Sequence, residues 1–250
     1  MPDISIIIPA RNEAANIAAL LDGIAAACAG LDHEVIVVDD ASQDDTAALV
    51  RARIAAGTDG GRLRLLRHDR PGGQSAAVHS GARAAHGAII ATLDGDGQNP
   101  PEELPRLIAP LLAPGAGQTG IVAGQRVGRK DTLSKRLASR FANGLRARVL
   151  RDGTRDTGCG LKAMRREAFL ALPYFDHMHR YLPALFARDG WAVAHVDVSH
   201  RPRGGGRSNY SNLQRGLVGI SDLIGVAWLL RRRKTARAEE LRPGPESGDR

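Results

Sequence analysis

Aromatic side chains are scarce in this sequence: two Trp, three Tyr and four Phe make up 4% of 250 residues. So few rings leave little stacking surface for a single-strand nucleic-acid binder. Cysteine is scarcer, at Cys28 and Cys159 only. Two thiols make neither a disulfide framework nor a zinc cluster, and their number favours a reducing compartment. Long apolar runs are missing too. The longest, 217–230, is 14 residues and contains Asp222. It is too short to span a bilayer but could lie on one. No basic stretch precedes the first apolar run, which argues against a secretory signal. The glycine-rich stretch 72–81 lacks the Gly-Lys-Ser/Thr ending of a P-loop and also lacks G-x-G-x-x-G.

What is present is ordinary globular composition, with 43% hydrophobic and 25% charged residues. The net charge is +8 and the isoelectric point is near 10.3, a balance that favours anionic partners. The charge is unevenly spread. Residues 1–123 carry 9 Lys/Arg against 15 Asp/Glu, 124–151 carry 9 against 1, and 152–250 carry 17 against 11. An acidic first half is followed by a basic second half.

Short β-branched or apolar runs at 4–8, 34–38, 63–66, 88–93 and 121–123 alternate with helix-like segments at 13–29, 42–55, 74–86 and 101–112. Continuous apolar strands separated by helices predict an α/β fold, with a mostly parallel central sheet covered by helices on both faces. After residue 124 the pattern changes. Residues 131–150 predict a long basic helix and 192–198 a strand, while 204–206 read as a glycine loop. Residues 212–232 predict an amphipathic helix with Leu217, Ile220, Leu223, Ile224, Ala227 and Trp228 at helical spacing. A disordered basic tail at 233–250 is expected to follow. The expected organisation is a main domain over 1–211, with 1–123 and 124–211 as its two halves, then the surface helix and the tail.

In open parallel sheets ligands bind at the carboxyl ends of strands. Here those ends carry Pro9-Ala10-Arg11-Asn12-Glu13, Asp39-Asp40-Ala41-Ser42, Asp94-Gly95-Asp96-Gly97-Gln98 and Gly124-Gln125-Arg126. Two carboxylates two residues apart, with an amide two further on, are hard oxygen ligands suited to Mg²⁺ or Mn²⁺. The calcium-loop pattern fails for want of its distal glutamate. Asp40, at a strand end, can accept hydrogen bonds from a base or ribose. Ser42 and Asp44 are expected to cap the following helix.

These residues resemble a known family. The set Ile6-Ile7-Ile8-Pro9-Ala10-Arg11-Asn12-Glu13, Val37-Val38-Asp39-Asp40-Ala41-Ser42, Asp94 through Glu102 and Asp156-Thr157-Gly158-Cys159-Gly160 is similar to the inverting glycosyltransferases of the Rossmann-like type A fold. More narrowly it resembles dolichol-phosphate mannosyltransferases and bacterial polyprenyl-phosphate relatives. The resemblance runs from about residue 3 to 230. It implies a nucleotide-sugar donor, a divalent Mg²⁺ or Mn²⁺ cofactor and a polyprenyl-phosphate acceptor. By the same resemblance, Pro9, Ala10 and Glu13 border the nucleotide, Asp40 binds the base, and Asp94 contacts the nucleotide. Asp96 and Gln98 hold the metal. Arg126, Ser139 and one of Lys135 and Arg136 meet the acceptor phosphate, and Arg203 with Ser208 belongs to a loop closing over the diphosphate. Asp96, Arg126 and Arg203 are the expected catalytic residues. The sequence departs from the resemblance at Gly95 and Gly97, where Ala and Leu are commoner, and at Cys159, where many members have Ser.

A phosphate monoester is largely dianionic at neutral pH, so it is a nucleophile without a strong general base. The work left to the protein is positioning and charge compensation. The basic second half suits that task, and the apolar stretch 217–230 followed by Arg231-Arg232-Arg233-Lys234 fits an anionic membrane surface on the cytoplasmic face. The expected donor is GDP-mannose, by resemblance alone. The alternatives are a UDP-sugar donor, a soluble saccharide acceptor and, from another class, a basic nucleic-acid-binding protein. No nucleic-acid motif is present to favour the last.

Overall fold

The computed structural model describes residues 1–127, 146, 148–150, 152–201, 212–232 and 236, with the backbone alone for 212–218. The strands are β1 (Ile4–Ala10), β2 (His33–Asp39), β3 (Leu63–Arg67), β4 (Ile89–Thr92), β5 (Thr119–Arg126), β6 (Lys162–Arg165) and β7 (Ala192–Val198). The helices are α1 (Ile17–Ala27), α2 (Thr46–Ala56), α3 (Gly73–Ala84), α4 (Leu104–Leu112), α5 (Arg166–Leu170), α6 (Leu182–Arg188) and α7 (Asn212–Leu230). One sheet in the order β3-β2-β1-β4-β6-β5-β7 runs through both halves of the chain. All pairings are parallel except those of β6, which is antiparallel to β4 and β5. The mostly parallel sheet is as expected. The strand β6, four residues long with a basic residue at each end, is one that the periodicity does not show.

Alternate residues of β1 and β2 feed two cores. Ile6, Ile8, Val35 and Val37 pack with Ile17, Leu20 and Ile24 of α1 and Leu104, Leu107 and Ile108 of α4. Ile7, Ile36 and Val38 pack on the other face with Ala77 and Val78 of α3, Phe169 of α5 and Phe186 of α6. The small residues of α3 serve close packing, as the composition of 72–81 suggests. A Cβ on Gly81 would lie 2.5 Å from Cγ2 of Ile7. Pro9 is tolerated inside β1 because Ile7 accepts the last β4 bond, from Leu93 N–H. Two residues on, the missing N–H of Pro9 faces the side where β4 has ended.

Helix starts differ from the sequence expectation. α1 begins at Ile17 rather than 13, and α2 at Thr46 rather than 42. The reason lies between the two loops. Ser42 Oγ accepts the N–H of Asn12, Thr46 Oγ1 that of Glu13, and Asp44 that of Ala14. Ser42 therefore ties the loop after β2 to the loop after β1 instead of capping α2. Asp44 does accept the Thr46 N–H at 3.0 Å, as a capping side chain would.

The expected terminal helix is present as α7, and it has two apolar faces. Leu223, Val226, Leu229 and Leu230 join the second core. Tyr181 Oη donates to the Gly219 carbonyl, and His177 Nδ1 lies 3.2 Å from Asp222 Oδ2. Ile220, Ile224 and Trp228, four apart, are exposed by 59%, 67% and 57%. Leu217 and the tail at 233–250, apart from residue 236, lie outside the described side chains, as does most of the long basic helix expected at 131–150.

The amino edge of the sheet is locked by Glu34. Its carboxylate accepts from Ser5 Oγ, His86 N–H and Arg64, each at 2.7 Å. Burial disfavours its charge, but the bonds from His86, Arg64 and Ser5 outweigh that and bring its pKa down from 4.5 to about 2. A depressed carboxylate pKa stabilises the fold above the unfolded value and loses that contribution as pH falls through the folded one. Wild-type stability should therefore drop between pH 4.5 and pH 2, and E34Q should cost roughly 2–3 kcal/mol at pH 7 with a flatter acid limb. Urea midpoints measured across that range check both.

Candidate functional site

The carboxyl ends of β1, β2, β4, β5 and β7 share one edge, and the start of antiparallel β6 joins them there. The loops after β1 and β2 pass through left-handed backbone at Asn12 (φ 57°) and Ala41 (φ 55°), a conformation uncommon for residues other than glycine. Gly95 sits with its bare Cα against this wall. A Cβ there would lie 3.2 Å from Pro9 O, 3.3 Å from Glu13 Cγ and 3.4 Å from Ala10 Cα. Pro9, Ala10, Glu13 and the Asp94–Gln98 loop are thus brought together, as their strand-end positions predict.

Asp40 is buried, and both its oxygens are engaged. Oδ1 accepts Gly72 N–H at 2.7 Å and faces His68 Nδ1 at 2.7 Å, while Oδ2 accepts Gly73 N–H at 2.9 Å. These amides open α3, where backbone N–H groups lack helical partners. Burial works against the Asp40 charge, yet the bonds from Gly72, His68 and Gly73 hold its pKa below the usual range. The residue assigned to the base by resemblance is, in this structure, also the anchor of α3.

Asp94 follows β4. Gln74 Nε2 donates to its Oδ1 at 2.7 Å and Asn99 Nδ2 to its Oδ2 at 3.2 Å. Its carboxyl lies on Gly160, where a Cβ would come within 2.1–2.3 Å of all three carboxyl atoms. That explains Gly160 better than any need for flexibility. Burial pushes the Asp94 pKa up to about 6 and the Asp96 charge pushes the same way, against Lys162, Arg126 and Asn99. Lys162 is itself buried, with 4% exposure, and donates to the Cys159 carbonyl. Burial lowers its pKa, against the attraction of Asp94 and Asp156.

Asp96 and Gln98 flank Gly97, whose φ of 71° suits glycine, and Asp96 Oδ1 accepts the Gln98 N–H at 3.1 Å. The donor set is hard oxygen, and Asn99 Oδ1 next to it is buried without a hydrogen-bond partner. Among the described residues no group of three or more His, Cys, Asp or Glu forms a cage. A hard divalent cation bound through one or two side chains and substrate phosphates needs none, so the residues present fit Mg²⁺ or Mn²⁺.

Arg126, at the end of β5, forms a two-pronged pair with Asp156, Nε to Oδ2 at 2.5 Å and Nη2 to Oδ1 at 2.9 Å. Asp156 raises its pKa and keeps it charged. The Pro-Pro-Glu segment closes the edge from below. Glu103 accepts both N–H and Oγ of Ser199, Glu102 pairs with Arg201, and Arg201 N–H bonds Gln98 O at 2.8 Å. Arg201 stands two residues before the expected Arg203. Lys135, Arg136, Ser139, Arg203 and Ser208 lie outside the described residues.

Three functional-edge residues escape the sequence reading. Gln74 is hidden in a glycine-rich stretch that matches neither phosphate-binding motif. Lys162 lies in the unrecognised β6. Asp156 belongs to a quoted motif without an assigned role. Cys159 is buried and its thiol pKa is raised by burial, in keeping with a small packing residue rather than a nucleophile.

The profile of Glycosyl transferase family 2 matches residues 5–172. The chain is 34% identical over 234 residues to dodecaprenyl-phosphate galacturonate synthase of Rhizobium johnstonii, covering 92% of this chain and 68% of that protein. It is 34% identical over 209 residues to undecaprenyl-phosphate 4-deoxy-4-formamido-L-arabinose transferase of Aeromonas hydrophila, covering 83% and 62%. It therefore spans less than two thirds of the second relative. Glucosyl-3-phosphoglycerate synthase from Mycobacterium tuberculosis, solved with Mn²⁺, UDP and glucosyl-3-phosphoglycerate, superposes with a TM-score of 0.69 at 23% identity, over 94% of this chain and 82% of that one. At that identity the likeness is one of fold.

The Arg126 and Asp156 side chains are each 14% exposed, so removing one leaves the other poorly solvated. R126A should destabilise the protein by roughly 3 kcal/mol, and R126A/D156A by clearly less than the sum of the two single changes. A double-mutant cycle on urea unfolding measures the coupling.

Proposed function

Because this chain belongs to glycosyl transferase family 2 and has the type A glycosyltransferase fold, we propose that it transfers a sugar from a nucleotide-sugar donor to a polyprenyl phosphate at a membrane surface. The observation that carries this is the single sheet edge that gathers Asp94, Asp96 and Gln98 opposite Arg126. One side suits a metal-bound diphosphate, the other a second phosphate. Both relatives have names that specify a polyprenyl phosphate. Those names specify galacturonate and 4-deoxy-4-formamido-L-arabinose, not mannose, and the solved fold relative holds UDP. They lend GDP-mannose no support and favour a UDP-sugar.

Asp96 and Gln98 would hold Mg²⁺ or Mn²⁺, which supplies charge compensation for the departing nucleoside diphosphate. Pro9, Ala10 and Glu13 border the nucleotide, and Asp40 sets the wall at its base end. Arg126, oriented by Asp156, faces the acceptor phosphate, with Ser139, Arg203, Ser208 and Lys135 or Arg136 completing the phosphate contacts. The acceptor is already a dianion, so these residues orient it and offset its charge rather than remove a proton. Displacement is in line, with inversion at the anomeric carbon.

The exposed Ile220, Ile224 and Trp228 support a peripheral membrane contact. Arg231 and Arg232 adjoin them, and the Arg232 guanidinium lies 5.0 Å from the Trp228 ring centre. No helix among the described residues is long and apolar enough to cross a membrane. An apolar stripe bordered by cations suits an anionic surface, on the cytoplasmic side by our reading. The opposite face of α7 is core, so the contact is tested by substitution rather than deletion. I220S/I224S/W228S should lose sedimentation with anionic liposomes while keeping its melting temperature.

Incubating the protein with radiolabelled UDP- and GDP-sugars, polyprenyl phosphate and Mg²⁺ or Mn²⁺ tests the reaction. Label should pass into the organic phase from a UDP-sugar, and D96A should reduce that transfer by about 100-fold or more. Transfer that persists in D96A overturns the metal assignment. The absence of lipid-linked label from every donor overturns the acceptor.

A further inference from the structure

Four consecutive residues at the start of α3 reach three separate parts of the site. Gly72 and Gly73 give their N–H groups to Asp40. Gln74 donates to Asp94. Ser75 Oγ meets His179 Nδ1 at 2.8 Å and accepts the His179 N–H at 3.3 Å. The helix start is thus fixed to β2 on one side and to the second half of the chain on the other. The Gln74 side chain springs from a backbone that cannot easily move.

Asp94 needs such a partner. Its carboxyl is pressed onto Gly160 and lies near the Asp96 charge, which repels it. Left to itself, the carboxylate would turn toward Lys162 or away from Asp96. Gln74 at 2.7 Å on Oδ1 and Asn99 at 3.2 Å on Oδ2 hold the two oxygens from opposite sides. Of the two bonds the one from Gln74 is shorter, and it comes from another element. An amide suits this role better than a cation would. It donates a hydrogen bond without cancelling negative charge beside a site for a divalent metal, and without competing with that metal for the carboxylates.

We propose that Gln74 is a positioning residue of the donor site, which holds the Asp94 carboxylate in the orientation that meets the nucleotide. The inference rests on the glycosyltransferase reading. It assigns to the first turn of α3, otherwise a packing element, a direct part in donor affinity. The bond must be donated by the amide, so a side chain of the same shape that cannot donate fails.

The test compares wild type, Q74A and Q74E by calorimetric titration of UDP with Mn²⁺, by steady-state transfer and by melting temperature. A hydrogen bond to a charged group corresponds to roughly 10- to 100-fold in affinity. Q74A should weaken UDP–Mn²⁺ binding and raise the donor KM by roughly tenfold or more, with kcat and the acceptor KM little changed. Q74E keeps the shape but sets a second carboxylate against Asp94, and it should bind more weakly still. Both should melt within a few degrees of wild type. If Q74A binds UDP as wild type does, or if Q74E behaves like wild type, the proposal is overturned. Loss of affinity that only tracks a fall in melting temperature also overturns it. Wild-type protein that binds neither UDP nor GDP overturns the functional reading, and this inference with it.

Discussion

The direction of one short strand governs the site. β6 runs antiparallel between β4 and β5 in an otherwise parallel sheet. A parallel strand in that place would bring its carboxyl end to the ligand edge and leave its preceding loop at the far side. Because β6 is reversed, the chain that enters it arrives at the ligand edge. That places Asp156, Gly158, Gly160 and Lys162 against the ends of β4 and β5. Gly160 then forms the floor on which the Asp94 carboxyl lies, and Thr92 Oγ1 fixes that floor by donating to the Gly160 carbonyl at 2.6 Å.

Charge at this edge is balanced rather than merely abundant. The first half of the chain brings Asp39, Asp40, Asp94 and Asp96 to it, and burial makes the charge of Asp40 and Asp94 costly. Asp40 is relieved by the opening amides of α3 and Asp39 by Arg67, at 3.2 Å. For Asp94, burial and the neighbouring Asp96 charge outweigh its hydrogen bonds and counter-charges, and its pKa rises to about 6. Its counter-charges, Lys162 and Arg126, come from the second half. Acids of the first half and these two cations of the second thus meet at one edge. The opposite edge carries a different kind of network. There Glu34, Ser5, Arg64 and His86 satisfy one another and hold the amino ends of the strands together.

α7 shows how one apolar pattern can serve two surfaces. Its hydrophobic residues are too many for one stripe. One set enters the core beside Tyr181 and Phe186, and another set at four-residue spacing stays outside next to arginines. An exposed hydrophobic helix face of this kind marks an interaction surface, and Arg231 and Arg232 stand beside it.

The α/β alternation, the mostly parallel sheet and the strand ends that bear Pro9, Asp40, Asp94, Asp96 and Arg126 were legible in the sequence. Those features depend on local periodicity and on a topological rule that sets ligands at carboxyl ends. The helix starts were misplaced because Ser42, Asp44 and Thr46 bond across to the β1 loop, and no local signal distinguishes that from a cap. β6 was invisible because its strand character comes wholly from pairing with β4 and β5, and two of its four residues are basic. Gln74, Asp156 and Lys162 escaped the sequence for the same reason. Gln74 bonds Asp94 20 residues away and Asp156 pairs with Arg126 30 residues away, and only the packed sheet brings these groups, and Lys162 beside them, together.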